Sequence, residues 1–156
     1  AALLSQRLGR PVRVQWMRDL LVERGVPVVG AGRASVLATA WAEDVQLLLH
    51  ALLQPNDDYA VRGALATRLL GATARELSEL ATDVQRWEST LDQFAAWRRL
   101  WDRRGVLAVV ETVILEQAPR LLSAADGERA LTDLRHLGEV LQEAATDRYG
   151  PDELYA

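Results

Sequence analysis

The sequence predicts a mainly α protein, a helical bundle with a small α/β remnant of one or two short strands near the N-terminus. Apolar residues recur every three to four positions along most of the chain, which is the spacing of helices with one buried face. Proline, glycine and capping residues separate these segments at intervals typical of globular helices. The 156 residues are 49% hydrophobic and 26% charged, enough for one hydrophobic core.

The N-terminal part holds the only strand candidates. A helix is predicted to begin at Pro11 and end at Gly25, because the apolar residues between them lie at helical spacing. Two short runs with β-branched residues, 26–29 and 35–37, are predicted to be extended. From Thr39 onward every segment is predicted to be helical.

Three helices are predicted between Thr39 and residue 80. Thr39 is the predicted N-cap of the first, which stops before Pro55. The turn at residues 56–58 caps the second, which is predicted to run to about Leu70 and to end at Gly71. The capping box at residues 73–76 begins the third.

The second half of the chain predicts longer helices. A second capping box, residues 82–85, begins a helix that ends at Gly105. A strongly apolar helix is predicted over 106–117, and Pro119 is predicted to start a separate short helix. A final amphipathic helix follows the turn at residues 126–128.

Several classes of catalytic chemistry are excluded within this chain. It contains no cysteine, and all 18 basic residues are arginine, so it has no thiolate nucleophile, Schiff-base lysine or Walker-type lysine. His50 and His136 lie in separate helices and lack the spacing of a zinc-binding pair, so they are predicted to be helix-face residues rather than ligands. We therefore predict no catalytic, cofactor-binding or metal-binding residue here.

Composition also predicts the compartment. The absence of cysteine fits a reducing cytoplasm. No apolar run approaches the roughly 20 residues that span a bilayer, so no membrane contact is predicted. The net charge of −4 means that any contact with nucleic acid has to come from a local basic patch.

One such patch is present in the sequence between Trp97 and Gly105. It contains two tryptophans and the arginines Arg98, Arg99, Arg103 and Arg104. Arginines beside aromatic residues are typical of nucleic-acid contacts, and these four are the predicted DNA-contacting residues. The same pattern fits arginines that complement a helix C-terminus above a buried tryptophan stripe, or a surface for a protein partner.

Three stretches resemble one known family. Gly127–Leu137, continuing to Ala144, resembles the run G-E-R-R-L-T-D/N-x-x-H-L-x-E-L-L-Q-E-A. Arg62–Gly71 is similar to R-x-A-L-A-T-x-L-L-G, and Trp101–Val106 is similar to W-R-x-R-G-V. These are patterns of the RecB family, UvrD-like superfamily 1 helicases that form the beta subunit of exodeoxyribonuclease V.

The resemblance implies a parent protein with its own activity, cofactors and partners. Such a parent is an ATP-dependent DNA helicase and nuclease that acts on double-stranded DNA ends in recombinational repair. It uses ATP and Mg²⁺ and assembles with subunits of the RecC and RecD type. A helicase-nuclease of the AddA type is the related alternative.

The resemblance also implies a position in the parent. Residues 1–38 would belong to the second RecA-like motor domain, and residues 39–156 to the helical 2B insertion domain, truncated at its C-terminus. The family's ATP-contacting arginine has no counterpart in register, so no ATP contact is assigned to Arg7, Arg10 or Arg13.

We expect this chain alone to be inactive, either as a non-catalytic accessory region or as a helical protein–protein interaction module without DNA contact. The family-motif residues in its last predicted helix are interpreted as structural, with Gly127 as the helix entry and Glu128 as a first-turn acid. The others are Arg129, Leu131, Thr132, Asp133 and His136.

Overall fold

The computed structural model describes residues 37–146, and this part of the chain forms six helices and no strand. The prediction of a mainly α helical bundle is confirmed. The helices are α1 Ala40–Leu53, α2 Asp58–Leu65, α3 Ala74–Leu80, α4 Val84–Arg104, α5 Val106–Leu122 and α6 Gly127–Thr146.

Helix α1 lies at the centre of the bundle, where it contacts α2, α4 and α6. Its side chains Val45, Leu48 and Leu52 are at most 1% exposed. They fall on one face because they recur at helical spacing. Full burial of one such side chain contributes about 1.5–3 kcal/mol to folding. This face therefore organises the core on which the other helices pack.

Helices α5 and α6 form the most extensive helix pair of the bundle. They run antiparallel because only residues 123–126 join them. Leu134 and Leu137 of α6 are fully buried, and the missing side chain of Gly138 allows close approach. A Cβ atom there would lie 3.0 Å from Leu107 Cδ1 of α5. Helix α6 is thereby held firmly against α5.

Two of the predicted helix starts are confirmed in atomic detail. The Asp57 carboxylate accepts from the backbone N–H groups of Tyr59 (3.0 Å) and Ala60 (3.2 Å) at the start of α2. At α3, Glu76 N–H donates to Thr73 Oγ1 (3.2 Å) and Thr73 N–H donates to Glu76 Oε2 (2.8 Å), which is a complete capping box.

The predicted cap of α4 is wrong by one residue. Asp83, not Thr82, is the N-cap, and its carboxylate accepts from Arg86 N–H at 3.0 Å. The Thr82 hydroxyl instead donates to the Glu79 carbonyl (3.1 Å), which closes the end of α3. Two adjacent capping residues therefore serve two different helices.

The predicted end of α2 near Leu70 is also wrong, since the helix ends at Leu65. The Thr67 hydroxyl donates to the Ala64 carbonyl (2.6 Å) and accepts from Leu70 N–H (3.3 Å). These local hydrogen bonds give the backbone partners other than those of an α-helix, so the helix does not continue to Leu70.

Pro119 does not start a separate helix, because it lies inside the continuous helix α5. Proline cannot donate to the carbonyl four residues earlier, at Leu115. Both residues lie on the exposed face of α5, where water can donate to the Leu115 carbonyl in place of the missing N–H. The break that proline predicts is therefore avoided.

The predicted N-terminal helix and the strand candidates at 26–29 and 35–36 lie outside the described residues. Leu37, the last residue of the second candidate, is helical and buried in the core, so its predicted extended conformation is wrong. The division into residues 1–38 and 39–156 stays a prediction.

Candidate functional site

The four arginines predicted to contact DNA lie in the last two turns of α4 and point in different directions. Phe94 and Trp97 mark the buried face of this helix. Since each residue of an α-helix advances by about 100°, Arg99 and Arg103 project from the opposite face. Arg98 and Arg104 project from the two flanks. The four side chains therefore form no single patch.

Arg98 already has a partner within α4. Its guanidinium forms an ion pair with the Asp102 carboxylate, with Nη2–Oδ1 at 3.0 Å and Nε–Oδ2 at 3.3 Å. Its Cζ also lies 5.3 Å from the ring centroid of Trp101. This two-point contact neutralises the Arg98 charge, so Arg98 is the poorest DNA-contact candidate of the four.

Arg99, Arg103 and Arg104 are exposed and have no ion-pair, hydrogen-bond or aromatic partner within residues 37–146. We call them the unpaired arginines. Every other arginine in the described range contacts a carboxylate, a carbonyl or side-chain oxygen, or a tryptophan ring. Those engaged arginines are Arg62, Arg68, Arg75, Arg86, Arg98, Arg120, Arg129 and Arg135.

The tryptophans of this region do not offer free ring faces for stacking bases. Trp97 is 5% exposed and packs on Phe94, with ring centroids 5.2 Å apart. The rings of Trp41, Trp87 and Trp101 each lie under an arginine guanidinium, at 4.6, 4.3 and 5.3 Å respectively. A base could stack there only by displacing the arginine. The exposed chemistry is therefore cationic rather than aromatic.

Most of the family-motif residues of α6 are occupied with contacts inside the bundle. Gly127 is buried, and a Cβ there would overlap the Leu121 carbonyl, so this residue permits the close approach of the α5–α6 turn. Leu131 packs against the core. Glu128 is the first-turn acid, and its carbonyl accepts from the Thr132 hydroxyl at 3.0 Å.

The remaining polar motif residues pair along the same helix. Arg129 Nε lies 3.8 Å from Asp133 Oδ2, and His136 Nδ1 lies 3.6 Å from Glu139 Oε2. A surface ion pair such as Arg129–Asp133 contributes about 0.2–1 kcal/mol. Their interpretation as structural residues stays a prediction.

Sequence reasoning missed two side chains that join distant parts of the chain. The Arg120 guanidinium of α5 donates to the Leu69 carbonyl, 51 residues away in sequence. It lies where a Cβ on Gly71 would be, and Gly71 has a positive φ of 71°. Gln142 Oε1 of α6 accepts from Leu107 N–H at 3.3 Å, across 35 residues. Local sequence patterns do not predict contacts between residues so far apart in the sequence.

Asp44 is the buried carboxylate of the described region. Burial raises its pKa, while the nearby Arg68 guanidinium and the Leu69 backbone oppose the rise. Arg68 Nε lies 3.3 Å from Asp44 Oδ2, as an ion pair without an aligned hydrogen bond. Hydrogen bonds from Thr73 act in the opposite direction on Glu76 and lower the pKa of that carboxyl.

An open cleft of about 430 Å³ lies between α3, α4 and α5. Arg86 and Arg120 line it, together with the hydroxyl residues Ser89 and Thr90. Arg86 already pairs with Glu79 at 3.4 Å, and Arg120 holds the Leu69 carbonyl. The charged groups of the cleft thus serve contacts of the bundle itself.

Two further properties follow from the described helices. Across residues 37–146, no group of three or more His, Cys, Asp or Glu side chains could hold a metal ion. None of the helices in this range is both long enough and apolar enough to cross a membrane.

The chain is similar to RecB subunits from several bacteria, although no protein-family model matches it. It is 35% identical over 133 residues to the RecBCD enzyme subunit RecB of Escherichia coli, covering 83% of this chain and 11% of that protein. The Haemophilus influenzae subunit is 38% identical over 114 residues, covering 72% of this chain and 9% of the subunit. That of Mycobacterium tuberculosis is 38% identical over 132 residues, covering 82% and 12%.

These matches cover most of this chain but only about a tenth of each relative. All three are RecB subunits. Together with the helical bundle and the motifs it contains, they support one conclusion. The chain is related to the RecB subunit of the RecBCD enzyme and corresponds to a short segment of it.

Proposed function

We propose that this chain is a non-catalytic helical accessory region of an ATP-dependent DNA helicase and exonuclease subunit, and that its unpaired arginines contact the DNA backbone. The parent acts on double-stranded DNA ends in recombinational repair. This chain supplies a rigid helical surface beside the motor and performs no chemical step itself.

The wider assignment rests on the similarity to RecB. Residues 1–38 belong to the second RecA-like motor domain, and residues 39–156 to the 2B-type insertion. ATP and Mg²⁺ bind elsewhere in the parent, which assembles with subunits of the RecC and RecD type. The parent works in the cytoplasm.

The single observation that carries the DNA contact is the distribution of arginine partners. Within the described residues, the arginines without a partner are the three near the end of α4, while the others are engaged. Arg99 and Arg103 share the outward face of α4 and Arg104 lies on its flank, so positive charge is concentrated at one end of this helix although the net charge of the chain is −4. Phosphate oxygens are the natural acceptors for such guanidinium groups.

The geometry favours backbone contact over sequence reading. Arg99 and Arg103 are four residues apart on one face, which separates them by about 6 Å along the helix axis. The neighbouring tryptophan rings are covered, so base stacking adds little. Contacts restricted to phosphates fix the position of a protein on DNA but carry no sequence information.

Salt dependence tests the proposal. We would measure binding of the complete protein that carries this chain to a blunt-ended duplex over a range of salt concentrations. Each phosphate contact contributes about 0.9 to the slope of log affinity against log salt. The double variant Arg99→Gln/Arg103→Gln removes two such contacts. The slope should therefore become less steep, by about 2 in magnitude.

A matched control removes the same charge elsewhere. The Arg75 and Arg129 side chains are 86% and 84% exposed, and each pairs within its own helix. Arg75→Gln/Arg129→Gln should leave the slope unchanged. Equal slopes for the two double variants would overturn the proposed DNA contact.

A protein-interaction module is the second candidate, and a different surface favours it. Leu115 and Leu122 of α5 are 75% and 49% exposed, and Pro119 lies on the same outward face. Exposed apolar stripes are typical of protein contacts. If the α4 variants leave DNA binding unchanged while Leu115→Glu disrupts subunit assembly, the chain is such a module.

A further inference from the structure

We infer that Gln142 is a positioning residue that fixes the junction between α4 and α5 and so sets the direction of the unpaired arginines. We call residues 104–107, where α4 turns into α5, the Gly105 junction. The inference rests on the proposed DNA contact of the α4 arginines.

The start of α5 lacks a cap from its own sequence. Gly105 is both the C-cap of α4 and the N-cap of α5, and it makes no side-chain cap hydrogen bond. The first N–H groups of a helix have no partner within the helix. Gln142 supplies one from α6, because its Oε1 accepts from Leu107 N–H at 3.3 Å.

The backbone of Gly105 makes room for this contact. Its φ of 84° and ψ of 174° lie in a region that is essentially restricted to glycine. A Cβ atom at this position would overlap Gln142 Oε1 and lie 2.9 Å from both Cδ and Nε2. The Gln142 carboxamide therefore occupies the space that any other residue would need for its side chain.

The same junction determines where the arginines point. Gly105 N–H donates to the Trp101 carbonyl at 2.8 Å, so α4 remains helical up to the junction. Arg103 and Arg104 lie in this last turn. Their direction relative to α5 thus depends on the Gly105 backbone and on the side chain that holds Leu107.

Gln142 is itself held by the most extensive helix pair of the bundle. Leu137 is fully buried, and Gly138 packs against Leu107 and Val110 of α5. The contact therefore transmits the fixed α5–α6 geometry to the end of α4. A purely structural cap would affect stability alone, whereas a positioning residue also affects what the arginines bind.

The test combines Gln142→Met with the arginine variants in the complete protein. Methionine keeps the length of the side chain but has no oxygen to accept from Leu107 N–H. In the otherwise unchanged protein, we expect Gln142→Met to make the salt dependence of duplex binding less steep. The slope should decrease in magnitude by about 1, which corresponds to the loss of one phosphate contact. In the background Arg103→Gln/Arg104→Gln, which removes both arginines of the last turn, the same substitution should have no further effect on the slope.

Val140→Ala is the control, since Val140 is buried on the same helix but has no side-chain oxygen that could accept from Leu107 N–H. It should leave the slope unchanged. An unchanged slope in Gln142→Met, or an equal loss in both backgrounds, would overturn the positioning role.

Hydrogen exchange shows whether a negative result means that Gln142 does not hold the junction or that the arginines do not contact DNA. Gln142→Met should accelerate amide exchange in the peptide that contains Leu107, whatever the DNA result. If exchange accelerates and the arginine variants still bind DNA normally, the DNA contact is wrong. If exchange does not change, Gln142 does not hold the junction, and the inference itself fails.

Discussion

Two groups of arginines in this bundle differ in what they touch. Arg62, Arg68 and Arg120 each contact a residue of another segment, and two of them also cover a tryptophan ring. Arg99 and Arg103, on the outward face of α4, have no ion-pair, hydrogen-bond or aromatic partner among the described residues. The same residue type therefore holds the fold in one region and remains available to a ligand in the other.

The difference follows from geometry rather than from composition. A guanidinium has five N–H donors in a fixed fork, so it can join a carbonyl or carboxylate to a neighbouring surface. Arg120 reaches the Leu69 carbonyl because Gly71 leaves room for it. On the outward face of α4, Arg99 and Arg103 are exposed and form no hydrogen bond or ion pair with another described helix. Substitutions that separate these roles test the comparison.

The largest effect is expected where the backbone is most constrained. Gly105→Ala forces a Cβ into a glycine-only region and against Gln142, so we expect a loss of about 3 kcal/mol in the free energy of unfolding. Gly63→Ala is the control, since a Cβ at Gly63 meets nothing within 4 Å. It should stabilise the chain by about 0.5–1 kcal/mol. Urea unfolding of both variants measures the contrast, and similar losses would contradict it.

The same substitution, arginine to methionine, can be made at Arg120, which contacts another segment, and at Arg99, which has no partner among the described residues. Arg120→Met leaves the partly buried Leu69 carbonyl without its donor and should cost about 1–2 kcal/mol of stability. Arg99→Met removes no ion pair, hydrogen bond or ring contact within the described residues and should change stability by less than about 0.5 kcal/mol. Thermal unfolding of the two variants gives the answer, and equal destabilisation would show that Arg99 also holds the fold.

The smallest effect on stability is expected from the titration of Asp44, the carboxyl group that pairs with Arg68. Burial raises the pKa of Asp44 above the unfolded-state value, so the folded chain favours the protonated carboxyl. The stability from this group is full below the ordinary aspartate pKa of about 3.9 and is lost as pH rises through the raised pKa.

Asp44→Asn, which stays neutral, should therefore gain stability relative to the parent sequence as pH increases. Glu76→Gln provides the opposite case, because hydrogen bonds from Thr73 lower the pKa of Glu76. Stability from Glu76 is present above the ordinary glutamate pKa and is lost as pH falls through the lowered one. Unfolding temperatures measured from acidic to neutral pH should show these opposite trends, and parallel curves would contradict the assignment.

Local features of the fold could be predicted from the sequence because they depend on residues close together in the chain. The Thr73–Glu76 capping box and the Asp57 cap involve side chains within three residues of their partners, and both are confirmed. The errors at Thr82, Leu70 and Pro119 arose where two local signals competed or where exposure to water relieved a lost hydrogen bond. The arginine-rich segment was also visible in the sequence.

The sequence by itself determined that this chain is a helical bundle with RecB-like motifs and an arginine cluster at the end of one helix. Only the tertiary structure decided which arginines are engaged, which tryptophans are covered, and that Gln142 meets the Gly105 junction. The physical reason is how far apart in the sequence the interacting residues lie. Helix spacing and caps depend on hydrogen bonds over three or four residues, whereas the contacts of Gln142 with Leu107 and of Arg120 with Leu69 join residues 35 and 51 positions apart. These two contacts exist only once α5 has packed against its neighbours.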